Sequence, residues 1–186
     1  MLTKKLLSPS EIQKLIELVK KVFEYITELH RDPVGKNIQY PKLPPRLTES
    51  LAVYVLRAGL IPDLRGYSFD FGGNEADVIA THSEDTRKIE VKGTTKSFEF
   101  FGPKDITADY LLWFDFQNLR KKEGTDRFDL LILSQPSKYF TRPEKILIPR
   151  LRKITRNNLI SKPFSTSTLL GTLISTAPEG EIRNLG

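Results

Sequence analysis

A chain of 186 residues, 39% of them hydrophobic and including 11 Phe and 6 Tyr, is long enough for one substantial core and excludes wholesale disorder. Lys and Arg number 29 against 23 Asp and Glu, for a net charge of +6 and an isoelectric point near 9.4, a balance that suits a polyanionic partner, with nucleic acid first among them. No cysteine is present, which excludes disulfides, thiolate metal ligands and cysteine nucleophiles.

The opening Met1 to Leu7 lacks the pattern of a signal peptide, and Ser8-Pro9-Ser10-Glu11 follows it at once as a helix start. No apolar run approaches membrane-spanning length, so a soluble, cytoplasmic protein with no membrane partner is expected. From Glu11 to His30, apolar residues at Ile12, Leu15, Ile16, Val19, Val22, Phe23, Ile26 and Leu29 fall on one stripe of a helix. Ser10 can cap it, and Pro33 with Gly35 ends it. The stripe serves either the chain's own core or a dimer interface. Pro41, Pro44 and Pro45 then mark an extended connection, which closes an N-terminal helical segment of about residues 9–46.

Leu47 to Leu60 reads as a second helix, with Gly59 near its end and Glu49 in its first turn. There a carboxylate either complements the helix dipole or serves a metal. Tyr67 to Phe71 reads as a strand, Gly72-Gly73 as a turn, and the runs beginning at Asp77 and at Lys88 as two strands joined by the polar His82 to Arg87. Further on, Tyr110 to Phe116 and Phe128 to Leu133 complete a mixed sheet of about five strands in an α/β fold flanked by helices. Ile146-Leu147-Ile148-Pro149 is a further strand candidate, placed by its proline at an edge. Arg150, Arg152, Lys153 and Arg156 form the densest basic cluster, for which phosphate contacts are expected. All of this fits one domain over residues 1–186 with a basic C-terminal segment.

Chemistry concentrates in the hairpin. Along a strand, side chains alternate between faces, so Glu90 and Lys92 project to one side while Ile89 and Val91 enter the core. In an antiparallel hairpin Asp77, at the start of one strand, falls near Glu90 and Lys92 on the other. Two carboxylates suffice for Mg²⁺, which takes one or two protein carboxylates and completes its shell with water and phosphate oxygens. A nearby lysine stabilises charge on the same phosphate or orients the attacking water. No other Asp-x-Lys or Glu-x-Lys triplet occurs in the chain. Glu75 shares a face with Asp77 and is an alternative first ligand. The plainer alternative is a solvated hairpin whose charges only face water.

Asp77 followed by Glu90-Val91-Lys92 resembles the signature of the PD-(D/E)XK nuclease superfamily. Ala76 stands where many members carry proline. The resemblance spans about residues 47–135 and takes in Phe101-Gly102-Pro103-Lys104-Asp105-Ile106 and the strand at Tyr110. It implies a restriction-endonuclease-like core and Mg²⁺-dependent hydrolysis of DNA phosphodiesters, leaving a 5′-phosphate and a 3′-hydroxyl. Asp77, Glu90 and Lys92 would be catalytic, and Glu49 would join Asp77 and Glu90 at the metal. A type II restriction enzyme acting on double-stranded DNA is the expected member, and a homodimer follows from the need to cut two antiparallel strands. The alternatives are a Holliday-junction or repair nuclease of the same fold and a non-catalytic DNA-binding module.

Other chemistries find little to work with. His30 and His82 are the only histidines, which leaves no histidine metal set or triad. Gly72-Gly73 lacks the following lysine of a phosphate-binding loop. Trp113 is expected to pack in the sheet.

Overall fold

The computed structural model describes residues 5–117, 127–155 and 164–165. Four α-helices are described: α1 (Pro9–Leu29), α2 (Pro45–Arg57), α3 (Pro103–Thr107) and α4 (Ile148–Thr155). The strands are β1 (Ser68–Phe71), β2 (Val78–His82), β3 (Asp85–Thr94), β4 (Phe98–Phe101), β5 (Tyr110–Asp115), β6 (Arg127–Ser134), β7 (Glu144–Leu147) and the two-residue β8 (Phe164–Ser165).

Helix α1 starts earlier than expected. Its cap is Ser8, not Ser10: the Ser8 hydroxyl accepts from Glu11 N, and the Glu11 carboxylate accepts from Ser8 N at 2.7 Å. Pro9 explains the shift, because at the first helical position its missing N–H is no loss and its φ is already helical. Ile12, Ile16, Phe23 and Ile26 of the stripe are buried, whereas Val22 is exposed. Helix α2 stops at Arg57, three residues before the expected Leu60, and Gly59 at φ +67° turns the chain away.

The main sheet is mixed, with order β1-β2-β3-β5-β6, and β8 adds to its far edge. Strands β1, β2 and β3 form an antiparallel meander, β3 and β5 are parallel, and β5 and β6 are antiparallel. A parallel pair requires a crossover, here through β4 and α3, which carries α3 over one face of the sheet. Alternation along β5 and β6 then divides the core in two. Leu112, Phe114, Leu130 and Ile132 meet α1 and α2 with Ile89 and Val91, while Leu111, Trp113, Leu131 and Leu133 meet Phe101, Ile106, Ile146 and Leu151 on the other side. Gly93 sets how closely α2 approaches: a Cβ there would lie 2.3 Å from Thr48 Cγ2.

The strand expected over Ile146 to Pro149 is divided differently. Ile146 and Leu147 belong to β7, which pairs with β4 in a separate two-stranded sheet, and Ile148-Pro149 opens α4. Proline fits there because the first turn of a helix has no use for its N–H. Among the described residues no helix is long and apolar enough to cross a membrane.

Candidate active site

Strand β2 ends before its partner does, and the site lies at that ending. The last pair is Val78 with Ile89, so Asp77 stands one step beyond it, opposite Glu90. On that side β3 continues without a neighbour, and the Asp77 carboxylate accepts the Val91 N–H at 2.8 Å in place of a strand carbonyl. The preceding turn is held as well: Gly72 N donates to Asp77 O at 3.2 Å, and Lys104 from α3 donates to Asn74 O at 2.5 Å. Glu90, Lys92 and Thr94 lie beside Leu111, Trp113 and Asp115 in the β3–β5 register, on the face that α3 covers.

Glu90 is only 7% exposed. Its carboxyl is pushed up to about 7, first by burial, then by the charges of Asp77 and Asp105, while Lys92 and Lys104 pull it down. Three acids therefore face two ammonium groups. An entering cation would remove the repulsion, and the pair Asp77 and Glu90 is a donor set of the kind Mg²⁺ takes. Among the described residues no group of three or more acidic or histidine side chains is placed so that it could hold a metal ion.

Asp105 is the member that sequence reasoning passed over. Its Oδ2 lies 3.0 Å from Lys92 Nζ and accepts from Gly102 N at 2.7 Å. The sequence signal was Gly102-Pro103 followed by an acid at the third helical position, a helix start in which a carboxylate reaches back to the backbone. Nothing in the spacing tied it to Lys92, because that contact depends on where the crossover lands.

Glu49 is placed differently from the three motif residues. It is buried in α2, which packs against Ile89, Val91 and Gly93, the face of β3 opposite Glu90 and Lys92. Glu75 pairs with Lys88 at 3.4 Å on the exposed part of the hairpin.

The basic cluster on α4 is largely engaged within the chain. Arg150 pairs with Glu144 at 2.8 Å and lies over the Phe140 ring. Arg152 spans Asp115, at 2.9 Å, and Asp129, two acids brought side by side by the β5–β6 register. Burial raises the Asp115 carboxyl, against hydrogen bonds from Gln117 N and Arg152. These groups line a cavity of about 400 Å³ together with Ser97 and Ile148. Lys153 is exposed, and Arg156 lies outside the described residues. No known family, curated protein or solved structure matches the chain.

Proposed function

We propose that the chain is a Mg²⁺-dependent endodeoxyribonuclease of the PD-(D/E)XK type with a restriction-endonuclease-like core, acting on double-stranded DNA as a type II restriction enzyme. The observation that carries this reading is the convergence of Asp77, Glu90 and Lys92 at the unpaired end of the β2–β3 hairpin, with Glu90 raised first by burial and then by the neighbouring acids. The antiparallel meander followed by a parallel fourth strand supports the fold assignment.

Asp77 and Glu90 are the residues that would hold Mg²⁺. Held there, such an ion would supply an activated water and neutralise charge on phosphoryl oxygens. Lys92 places a positive charge beside the same phosphate, where negative charge grows as water attacks phosphorus and the bond to the 3′ oxygen breaks. Asp77 stays fixed through Val91 N, so the hairpin presents its carboxylate without rearrangement.

The test is incubation with plasmid DNA and Mg²⁺, followed by mapping of the fragments. Discrete bands support site-specific cutting. A smear, or preference for branched DNA, moves the assignment to a repair or junction nuclease. Salt-sensitive binding with no cleavage makes the protein a DNA-binding module. Lys92→Ala should abolish cleavage and leave binding largely intact, and full retained activity would overturn the assignment.

A further inference from the structure

We propose that Asp105 is a positioning residue for Lys92, holding its ammonium off the metal-binding carboxylates and fixed beside the reacting phosphate. This deepens the nuclease reading above and rests on it for the catalytic consequence.

Four observations converge on Asp105. It is 2% exposed, so its charge is buried, and a buried carboxylate is costly unless paired. Its Oδ2 meets Lys92 Nζ at 3.0 Å while also accepting from Gly102 N. Its Oδ1 is buried and accepts no hydrogen bond from the described residues. Beside Lys92 in the strand register, Trp113 has its own Nε1–H buried without an acceptor among the described residues. Lys92, itself 27% exposed, is thus held at a buried anion by one strong contact, with an unmet acceptor and an unmet donor alongside.

Capping alone does not account for this arrangement. The Gly102 N–H needs only an acceptor oxygen, which asparagine also offers. What the charge adds is a hold on Lys92. A lysine side chain is a flexible stem with a compact charge, and without a dedicated partner it is drawn to the nearest anions. Here those anions are Glu90 and Asp77, and an ammonium resting on them competes with the cation they would bind. Asp105 removes that competition and spares Lys92 the ordering that would otherwise accompany each turnover. Its placement depends on the crossover: α3 touches both the turn before β2, through Lys104 and Asn74, and the motif strand, through Asp105 and Lys92.

The experiment compares wild type, Asp105→Asn, Asp105→Glu, Lys92→Met and the double variant Asp105→Asn/Lys92→Met in the full chain. Steady-state cleavage, thermal midpoint and the side-chain ammonium signal of Lys92 in a ¹H–¹⁵N correlation spectrum are read for each. Asp105→Asn should lower kcat about 100-fold with KM within about twofold, the scale of a misplaced catalytic group. Its thermal midpoint should stay close to wild type, because the cap acceptor is kept. Asp105→Glu should recover most of the rate, and the double variant should match Lys92→Met alone. The Lys92 signal, identified by its loss in Lys92→Met, should be slow to exchange in wild type and lost in Asp105→Asn. An unchanged signal in Asp105→Asn, or wild-type cleavage by Asp105→Asn, would each overturn the proposal. If wild type cuts no DNA while the Lys92 signal still depends on Asp105, the nuclease reading fails and the pairing stands.

Discussion

The Asp77 carboxylate accepts the Val91 N–H at 2.8 Å, one residue past the point where β2 leaves β3, so a side chain continues the hydrogen bonding that the strand abandons. The bond ties the first acid of the motif to the middle residue of Glu90-Val91-Lys92. It also tethers one Asp77 oxygen to the backbone beside Glu90.

Asp77→Asn separates that anchoring from the charge. Asparagine keeps an acceptor for Val91 N–H, so the thermal midpoint should hold. Cleavage in Mg²⁺ should fall about 1,000-fold, the scale of losing one preorganised electrostatic group. Single-turnover cleavage measures this, and a rate within tenfold of wild type would remove Asp77 from the proposed metal site.

Glu90 makes stability depend on pH in a stated direction. Its native carboxyl sits at about 7, against 4.5 for an unperturbed one, with Asp77, Asp105, Lys92 and Lys104 as the charges around it. Between those values the native state binds more protons than the unfolded chain, so this contribution is complete below the ordinary value and is lost as pH rises through about 7. Glu90→Gln should therefore be the more stable protein at about pH 8, by on the order of 2 kcal/mol, and should converge on wild type below about pH 5. Urea unfolding at the two pH values checks it. Equal stabilities at the higher pH would show that ionised Glu90 carries no burial penalty.

Period-two alternation made much of this site legible. It separates Ile89 and Val91 from Glu90 and Lys92, and an antiparallel hairpin opposes Asp77 to Glu90 without further information. What escaped was set by contacts distant in sequence. Phe98 pairs with Leu147 across the molecule, and Asp105 reaches Lys92 only because the crossover folds back over the sheet. Arg152, expected at phosphates with the rest of the basic cluster, is engaged within the chain because the β5–β6 register sets Asp115 beside Asp129. The placement of Glu49 likewise depends on which face of β3 receives α2, and that is decided by Gly93 against Thr48.

Arg152 and Lys153 are adjacent on α4 and should behave oppositely. Removing Arg152 leaves the buried Asp115 beside Asp129 with no counterion, so Arg152→Ala should destabilise the fold by on the order of 2 kcal/mol, a figure reduced because the guanidinium is partly solvated. The loss should shrink at low pH, since burial already raises the Asp115 carboxyl toward neutrality. Lys153→Ala should leave stability alone and lessen the salt dependence of DNA binding by about one counterion. Urea midpoints and a salt titration of binding separate the two. The assignment of Lys153 to the DNA interface fails if its removal leaves the salt slope unchanged.

The exposed side of α1 carries the last expectation. Leu18, Val22 and Tyr25 are 50%, 44% and 62% exposed and share one face at helical spacing, bordering the buried stripe. We propose that a second copy covers it. In a two-fold antiparallel pairing of α1 helices, the face of Leu18, Val22 and Tyr25 would lie against its own copy, so the apolar positions would be self-complementary. Val22→Glu places a charge at the centre of that seam without touching the core, and should yield monomers in sedimentation velocity with an unaltered monomer fold by circular dichroism. On plasmid substrate the variant should accumulate nicked circles before linear DNA, because one subunit reaches one strand. A wild type that sediments as a monomer across the micromolar range, or a variant that stays dimeric, would eliminate this face as the interface.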